Sequence, residues 1–569
     1  MKRTLGLILV VILIIFAPNF LYLNEGVLGA TGSDALKHVW SQWFVVQQLQ
    51  NAGGLSLETS LIHHPGGGTF FSLDTFNALL GLPFHIAFGA ITTYNLVLML
   101  NLGLAAMCGA VLARLFTDDD WACAVGGIGF AFSAWVLAFP VASGVSEAAV
   151  FWPIPLFFLL VAKGWNHNNW RYPVAAGVLL SLQGLACWSH GITAGLLLLG
   201  LFSCALAQEP GAWKQEGRPK QIALLLATAI LLAIPGYLAI SGTVSADDAI
   251  KSRALSLFHS APVGPLSAME TNNMALIDFV ALGDWGLRKA SVGTDRLMYA
   301  ANPGLVILAL AVVAWRKRKT QVQWLALGAV FMLLMSLGPR IYFDHGRSIG
   351  GIPNPVYLAA YWVIPLVNAT IHSVDRFAVG LQLCLSMMAA VGVGCLAARW
   401  RPWILLAVLI ELIALSPAPW PIPMAEASQH PASVKIQSSG STKAVLDIPF
   451  MEGDEQHRWF LGDIFLQQSI HSSPIPFQLE GHAIETVHPD VRANRFFQKL
   501  AAGAIDDRPI PKGCIGVQDL AEMGFGWLVW RPMLTPDARR DEFRTILGSC
   551  LSVSEDFGDR ILYQIEGSP

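Results

Sequence analysis

From Pro173 to Ala207 the chain carries no Asp, Glu, Lys or Arg, and comparable apolar stretches recur from the N-terminus to residue 416. Such a stretch has few stable homes. In hydrocarbon every backbone N–H and C=O must be bonded within the segment, so a spanning stretch is an α-helix of roughly 20 apolar residues. A single helix over 173–207 would be about 50 Å long and would overshoot the bilayer core. The polar tetrad Trp188-Ser189-His190-Gly191 therefore divides it. The same rule predicts about eleven spans, near 5–23, 94–115, 121–139, 148–163, 173–188, 191–207, 221–241, 303–315, 321–338, 376–398 and 403–416. Only 13% of the 569 residues are charged, where soluble domains carry about 25%.

The scarce charges sort by side. Lys2 and Arg3, Arg114, Lys163 and Arg171, Lys214 with Arg218 and Lys220, Arg316 to Lys319, and Arg399 with Arg401 fall in alternate, short loops. Positive charge marks the cytoplasmic side, so the long segments 24–93, 242–302 and 339–375 face outward. Asp118-Asp119-Asp120 beside Arg114 complicates one basic loop, although acids contribute little to orientation. Lys2-Arg3 before an apolar run also fits a cleaved signal peptide. The length of that run, with Phe20 and Tyr22 as interfacial anchors, favours an uncleaved first span. The 36 Lys+Arg against 39 Asp+Glu exclude the basic surplus expected of a nucleic-acid binder.

After Ser416 the alternating prolines 417, 419, 421 and 423 cannot continue a helix. Residues 1–416 thus read as a transmembrane domain and 417–569 as a soluble external α/β domain. Val445–Pro449, Trp527–Trp530 and Arg560–Ile565 are expected strands, and Thr535-Pro536 opens an expected helix through Leu547. Cys514 and Cys550 are the two cysteines of this domain, and an even number in an oxidising compartment suggests a disulfide.

No Walker sequence and no zinc-finger or His-Glu-x-x-His spacing is present. The first external loop holds Asp34, Lys37 and His38 at i, i+3 and i+4, which a helix gathers on one face. An acid, a cation and an imidazole there could activate a hydroxyl and hold an anionic leaving group. Spacing alone favours the plainer reading, Asp34 capping an interfacial helix with Lys37 paired to it. His63-His64-Pro65-Gly66-Gly67-Gly68 reads as a structural turn rather than a metal site, and Asp74 follows it as a candidate substrate-binding residue. Outside the later spans, Arg340, Arg347, His372 and Arg376 gather cations suited to phosphate oxygens. Asp375-Arg376 capping the tenth span, with Arg340 snorkelling, explains them equally. Glu147 and His190 are lone polar groups at outer helix ends, more often caps than catalysts. Glu411 is an intramembrane carboxylate, a functional suspect by default or a partner for a neighbouring helix.

Several stretches together resemble the GT-C superfamily, integral-membrane glycosyltransferases that take sugars from polyprenyl-phosphate carriers. They are Gly32-Ser33-Asp34 with Trp40, His64-Pro65-Gly66 followed by Asp74, Leu82-Pro83 with Phe88-Gly89, and Tyr94-Asn95-Leu96. Ser336-Leu337-Gly338-Pro339, Ser373-Val374-Asp375-Arg376-Phe377 and Leu446-Asp447-Ile448-Pro449-Phe450 continue the match. The resemblance implies a GT-C-like helical membrane domain acting at the outer face of the inner (plasma) membrane, with a cytoplasmic N-terminus and a periplasmic C-terminal domain. It makes Asp34 the general base on the acceptor hydroxyl, in an inverting transfer. Arg376, Arg347, Lys37 and His38 become the groups that stabilise the leaving phosphate. The implied partners are a polyprenyl-phosphate-linked sugar donor and a glycan, lipid or protein acceptor. Many family members carry two neighbouring acids in this loop. Here Ser33 precedes a single Asp34, which leaves both divalent-metal use and catalytic competence open. Two other classes compete: a lipid-linked glycan transporter or flippase, and a non-enzymatic envelope assembly protein.

Overall fold

The computed structural model describes residues 1–51, 56, 58–69, 74–167, 169–208, 217–246, 273–282, 300–344, 350–363, 374–449, 454–478, 487–505 and 513–565. It divides into two compact units. The first comprises 1–21 with 95–423, and the second 22–94 with 424–569. The segment 24–93, expected as the first external loop, therefore belongs to the same unit as the C-terminal segment, a partition that contiguous reading of the chain does not suggest.

The first unit is helical. Among the described residues, five helices are long and apolar enough to cross a membrane: Thr75–Ala113, Asp120–Ala142, Ser146–Asn166, Arg218–Gly236 and Val374–Gly394. The remaining expected stretches are also helical, with instructive differences. The first helix, Lys2–Phe16, stops short of the expected end, two residues before Pro18, with Ala17 still at helical angles (φ −48°, ψ −46°). The expected pair 303–315 and 321–338 lies within Leu305–Ser336, which is two helices meeting at a kink at Arg318 (φ −139°, ψ 39°), inside the basic run 316–319.

The split of the charge-free run lies at a single extended residue, Cys187, between the helices Arg171–Ala186 and Trp188–Gln208. Gly191 is needed there, since a Cβ would fall 2.7 Å from the Cα of Gly184. On Arg218–Ala246 the side chains of Leu226, Ile230, Leu231, Leu232, Ile234 and Leu238 are exposed. A helix this apolar with so little cover is built to face lipid.

Charges inside this unit are accounted for locally. Asp119 accepts the Ala122 N–H at 2.9 Å as a helix cap and pairs with Arg401 at 2.5 Å. Asp120 accepts the Thr4 hydroxyl at 2.8 Å and pairs with Arg114. The aspartates that complicated the charge pattern thus neutralise arginines of the basic loops. Glu411 caps the helix Leu305–Ser336, accepting the N–H of Leu305 and that of Val306 at 2.9 Å. A carboxylate suits the positive end of a helix dipole, which explains this intramembrane acid without a catalytic role.

The second unit is mixed α/β. Its four strands lie in the order Ala444–Ile448, Phe525–Trp530, Ile561–Gln564, Ser552–Asp556, the first pair parallel and the others antiparallel. Three of these strands match the alternation-free apolar runs expected from sequence. Ser552–Asp556 was invisible because it is a wholly exposed edge strand of polar residues. The expected helix from Pro536 begins later, at Arg540. Thr535 instead accepts the indole N–H of Trp530 at 2.9 Å, so its hydroxyl serves the core. Gly26–Leu28 pairs antiparallel with Met424–Glu426.

The core of this unit takes in Trp40, Trp43 and Phe44 from the helix Ala35–Asn51 together with sheet and helix residues of the C-terminal segment. Trp40 is fully buried, stacked on Phe44 with ring centroids 5.1 Å apart and edge-on to Phe465 at 5.2 Å. Cys514 and Cys550 form a disulfide with Cα atoms 5.2 Å apart.

Candidate functional site

Two polar clusters collect most of the described candidate residues, one in each unit. In the second unit, Asp34 immediately precedes the helix Ala35–Asn51, and its carbonyl accepts the His38 N–H at 3.1 Å. The Lys37 ammonium lies 3.0 Å from the Asp34 carboxylate, which is 43% exposed. This matches the i, i+3 spacing read from the sequence, and it leaves the acid open to solvent. The helix cannot drift, because Trp40, on the same helix, is locked in the core.

Asp74 stands behind this group. It precedes the helix Thr75–Ala113 and is almost fully buried. Its N–H donates to the Ser41 hydroxyl at 2.9 Å, and its carboxylate accepts the Gln42 amide at 2.9 Å and the Asn77 amide at 3.1 Å. The His38 ring nitrogen Nδ1 is 3.8 Å from the same carboxylate oxygen. Asp74 therefore ties the helix that carries Lys37 and His38 to the start of the next one. Ser41, Gln42 and Asn77 carried no motif; only their polarity within apolar surroundings could have marked them.

The histidine turn is structural, as its sequence suggests. The N–H groups of His63 and His64 donate to the carbonyls of Phe477 and Ile475, at 2.9 and 3.0 Å. The His64 ring meets the Met523 carbonyl at 2.7 Å, and burial pushes its pKa down. His63 adopts a left-handed φ of 55° to make the turn.

In the first unit, Arg376 lies in the turn Val374–Phe377 that opens a spanning helix. Its guanidinium is 3.9 Å from the Glu147 carboxylate, donates to the Ser189 hydroxyl at 3.3 Å, and lies over the Phe139 ring at 5.4 Å. His190 is fully buried beside this group, its ring 6.0 Å from that of Trp135 and 6.3 Å from that of Phe151. Sequence reasoning singled out Arg376 and set Glu147 and His190 apart as lone polar groups. It did not bring them together, since nothing local links 147, 189 and 376. Arg347 and His372 lie outside the described residues.

Asp447, within another of the sequence stretches noted above, belongs to a buried ion-pair network. Arg531, 3% exposed at its side chain, pairs with Asp447 at 2.8 Å and with Asp463, which Arg560 also meets at 3.0 Å. A saturated network of this kind holds strands and helix together and offers no open ligand position. Among the described residues no three His, Cys, Asp or Glu side chains come together in a way that could hold a metal ion.

No family model matches the sequence, and no curated protein matches it in sequence. Solved structures do match in fold. The arabinofuranosyltransferase AftD from Mycobacteria matches over 100% of this chain with a TM-score of 0.52 and 15% identity. The chain has the GT-C fold. It spans 42% of the AftD chain, less than half the length of that protein. Two further chains with the GT-C fold match at lower TM-scores. The Archaeoglobus fulgidus oligosaccharyltransferase, in a complex with Zn and sulfate, gives 0.49 at 13% identity, over 93% of this chain and 68% of that one. ArnT from Cupriavidus metallidurans, bound to undecaprenyl phosphate, gives 0.39 at 12% identity, over 99% and 98%. At these identities the GT-C likeness concerns the fold, and the chemistry must be argued from the residues.

Proposed function

We propose that the protein is a membrane glycosyltransferase that moves a sugar from a polyprenyl-phosphate carrier to a glycan, lipid or protein acceptor at the outer face of the inner membrane. The observation that carries this reading is the setting of Asp34. It is a partly exposed carboxylate beside a lysine, at the head of a helix fixed by Trp40, in a chain with the GT-C fold. In the proposed reaction Asp34 takes the proton of the acceptor hydroxyl as its oxygen attacks the anomeric carbon. The bond from that carbon to the phosphate oxygen breaks, and the polyprenyl phosphate leaves with the electron pair. Attack opposite the leaving group inverts the anomeric centre. General-base assistance of this type contributes about 10²–10⁴-fold.

Arg376 is the proposed pole for the phosphate, since a planar guanidinium recognises its oxygens and balances the charge that develops on departure. Lys37 and His38 are proposed to contribute beside Asp34, with His38 held by Asp74. The basic loops are read as cytoplasmic and residues 417–569 as external, following the charge asymmetry. The test is transfer itself. The purified full chain in lipid nanodiscs, given polyprenyl-phosphate sugars and a membrane-glycan acceptor fraction, should release polyprenyl phosphate in step with sugar transfer. Flip of a fluorescent lipid-linked sugar without transfer would favour the transporter reading instead.

A further inference from the structure

Within the first unit, the surroundings of Arg376 contain more than one cation for a phosphate. Ser189 and His190 stand in the first turn of the helix Trp188–Gln208, and Arg376 in the turn that opens Val374–Gly394. The positive ends of two helix dipoles therefore lie at the cluster. Glu147 neutralises Arg376 from 3.9 Å. That is longer than the two-point contact of about 2.7–2.9 Å that arginine makes with a carboxylate or phosphate. The Glu147 side chain is 26% exposed and the Arg376 side chain 15%, so the pair stands at an opening.

His190 supplies an independent observation. It is fully buried, and neither ring nitrogen makes a hydrogen bond of ordinary geometry among the described residues. The carbonyl of Val150 lies beside its ring and is shared with the Gln183 amide, which donates to it at 2.6 Å. A buried imidazole with unbonded nitrogens is unfavourable, and an anion oxygen entering beside Arg376 would accept its N–H.

We propose that Arg376, Ser189 and His190 form a lipid-phosphate pocket in which Glu147 is the resident counter-ion, displaced from Arg376 when the phosphate enters. This rests on the reading of the protein as a user of polyprenyl phosphate. The charge balance gives the mechanism. With Glu147 in place and the buried Asp375 carboxylate in the same turn, the Arg376 charge is already offset, and an entering phosphate adds negative charge next to Glu147. Glu147 must swing away or take up a proton, so it opposes binding while holding the empty guanidinium in position. Truncating His190 removes a donor and leaves Glu147 and Arg376 untouched.

The test is titration of the full chain in nanodiscs with farnesyl phosphate, followed by ³¹P NMR, with farnesol and inorganic phosphate as controls. Glu147→Gln should bind farnesyl phosphate about tenfold more tightly than the wild type, and His190→Ala about tenfold more weakly, with His190→Asn restoring part of the loss. Farnesol binding should not change. Inorganic phosphate binding as tightly as farnesyl phosphate would support the pocket with free phosphate as its occupant. Unchanged or weaker binding by Glu147→Gln overturns the counter-ion assignment, even if the His190 variants fail to fold. Arg376→Ala should lose binding. If it binds as the wild type does, the phosphate reading itself fails, whereas loss in Arg376→Ala with no effect of Glu147→Gln or His190→Ala overturns only the present inference.

Discussion

The ammonium of Lys37 stands 3.0 Å from the carboxylate of Asp34, one helical turn apart, with the acid still 43% exposed. This pair meets the two demands that the proposed role of general base makes on Asp34: it is held in place, and it is reachable. An exposed ion pair contributes little to folding, typically about 0.2–1 kcal/mol. Lys37→Ala should therefore leave the melting temperature nearly unchanged while lowering transfer. A large loss of stability in that variant would show that the pair is structural.

Trp40 is expected to behave in the opposite way. It anchors the helix that follows Asp34 to the core of the second unit. Trp40→Ala should destabilise that unit by about 3–5 kcal/mol. Limited proteolysis of the full chain, monitored for cleavage within 424–569, would measure this.

The buried network around Arg531 predicts a further stability effect. Arg531→Met leaves the carboxylates of Asp447 and Asp463 buried without that partner, which costs about 3–5 kcal/mol. Burial pushes the Asp463 carboxyl up, and Arg531 and Arg560 more than offset this, holding it below the usual carboxylate range. That stabilisation is present above the unfolded-state value and disappears as pH falls through the lower folded value. The network should hold at neutral pH and fail below about pH 4.

His471 acts at milder acidity. It is almost completely buried, accepts the Ser473 N–H at 3.0 Å, and burial pushes its pKa down to about 3. The unfolded chain therefore binds a proton below about pH 6.5 that the folded chain refuses. Stability is fully present above that value and falls by about 1.4 kcal/mol per pH unit below it. Chemical unfolding of wild type and His471→Gln between pH 7.5 and 5 should show a steeper decline in the wild type. Parallel curves would contradict the assignment.

The disulfide between Cys514 and Cys550 closes a loop with a sequence separation of 36. Opening it with Cys514→Ser and Cys550→Ser together should cost about 2–4 kcal/mol. Peptide mapping of the unreduced protein should recover the two cysteines joined.

Most of the helical architecture was legible because hydrocarbon leaves the sequence little freedom: long charge-free runs become helices. What the runs left open was the residue at which each helix breaks. The split expected at Trp188-Ser189-His190-Gly191 lies one residue earlier, at Cys187, and the break expected in the basic run 316–319 is a kink at Arg318. The strands Ala444–Ile448 and Phe525–Trp530 were legible from buried apolar runs, whereas Ser552–Asp556 has no buried face to betray it. At the site, Asp34 and Lys37 were visible because helical spacing is local. The grouping of Glu147, Ser189, His190 and Arg376 was not, because it depends on helices far apart in sequence. For the same reason Glu411 stood between two readings until its partners, the N–H groups of Leu305 and Val306 more than a hundred residues away, decided for the neighbouring helix.

The central claim is that Asp34 is the base of a glycosyl transfer. The most direct measurement is the initial rate of sugar transfer from a polyprenyl-phosphate donor by the full chain carrying Asp34→Asn, an isosteric change that keeps the side chain's shape. The expected result is a rate lowered by about 10²–10⁴-fold with the melting temperature and donor binding retained. Transfer at the wild-type rate by a fully folded Asp34→Asn protein would contradict it.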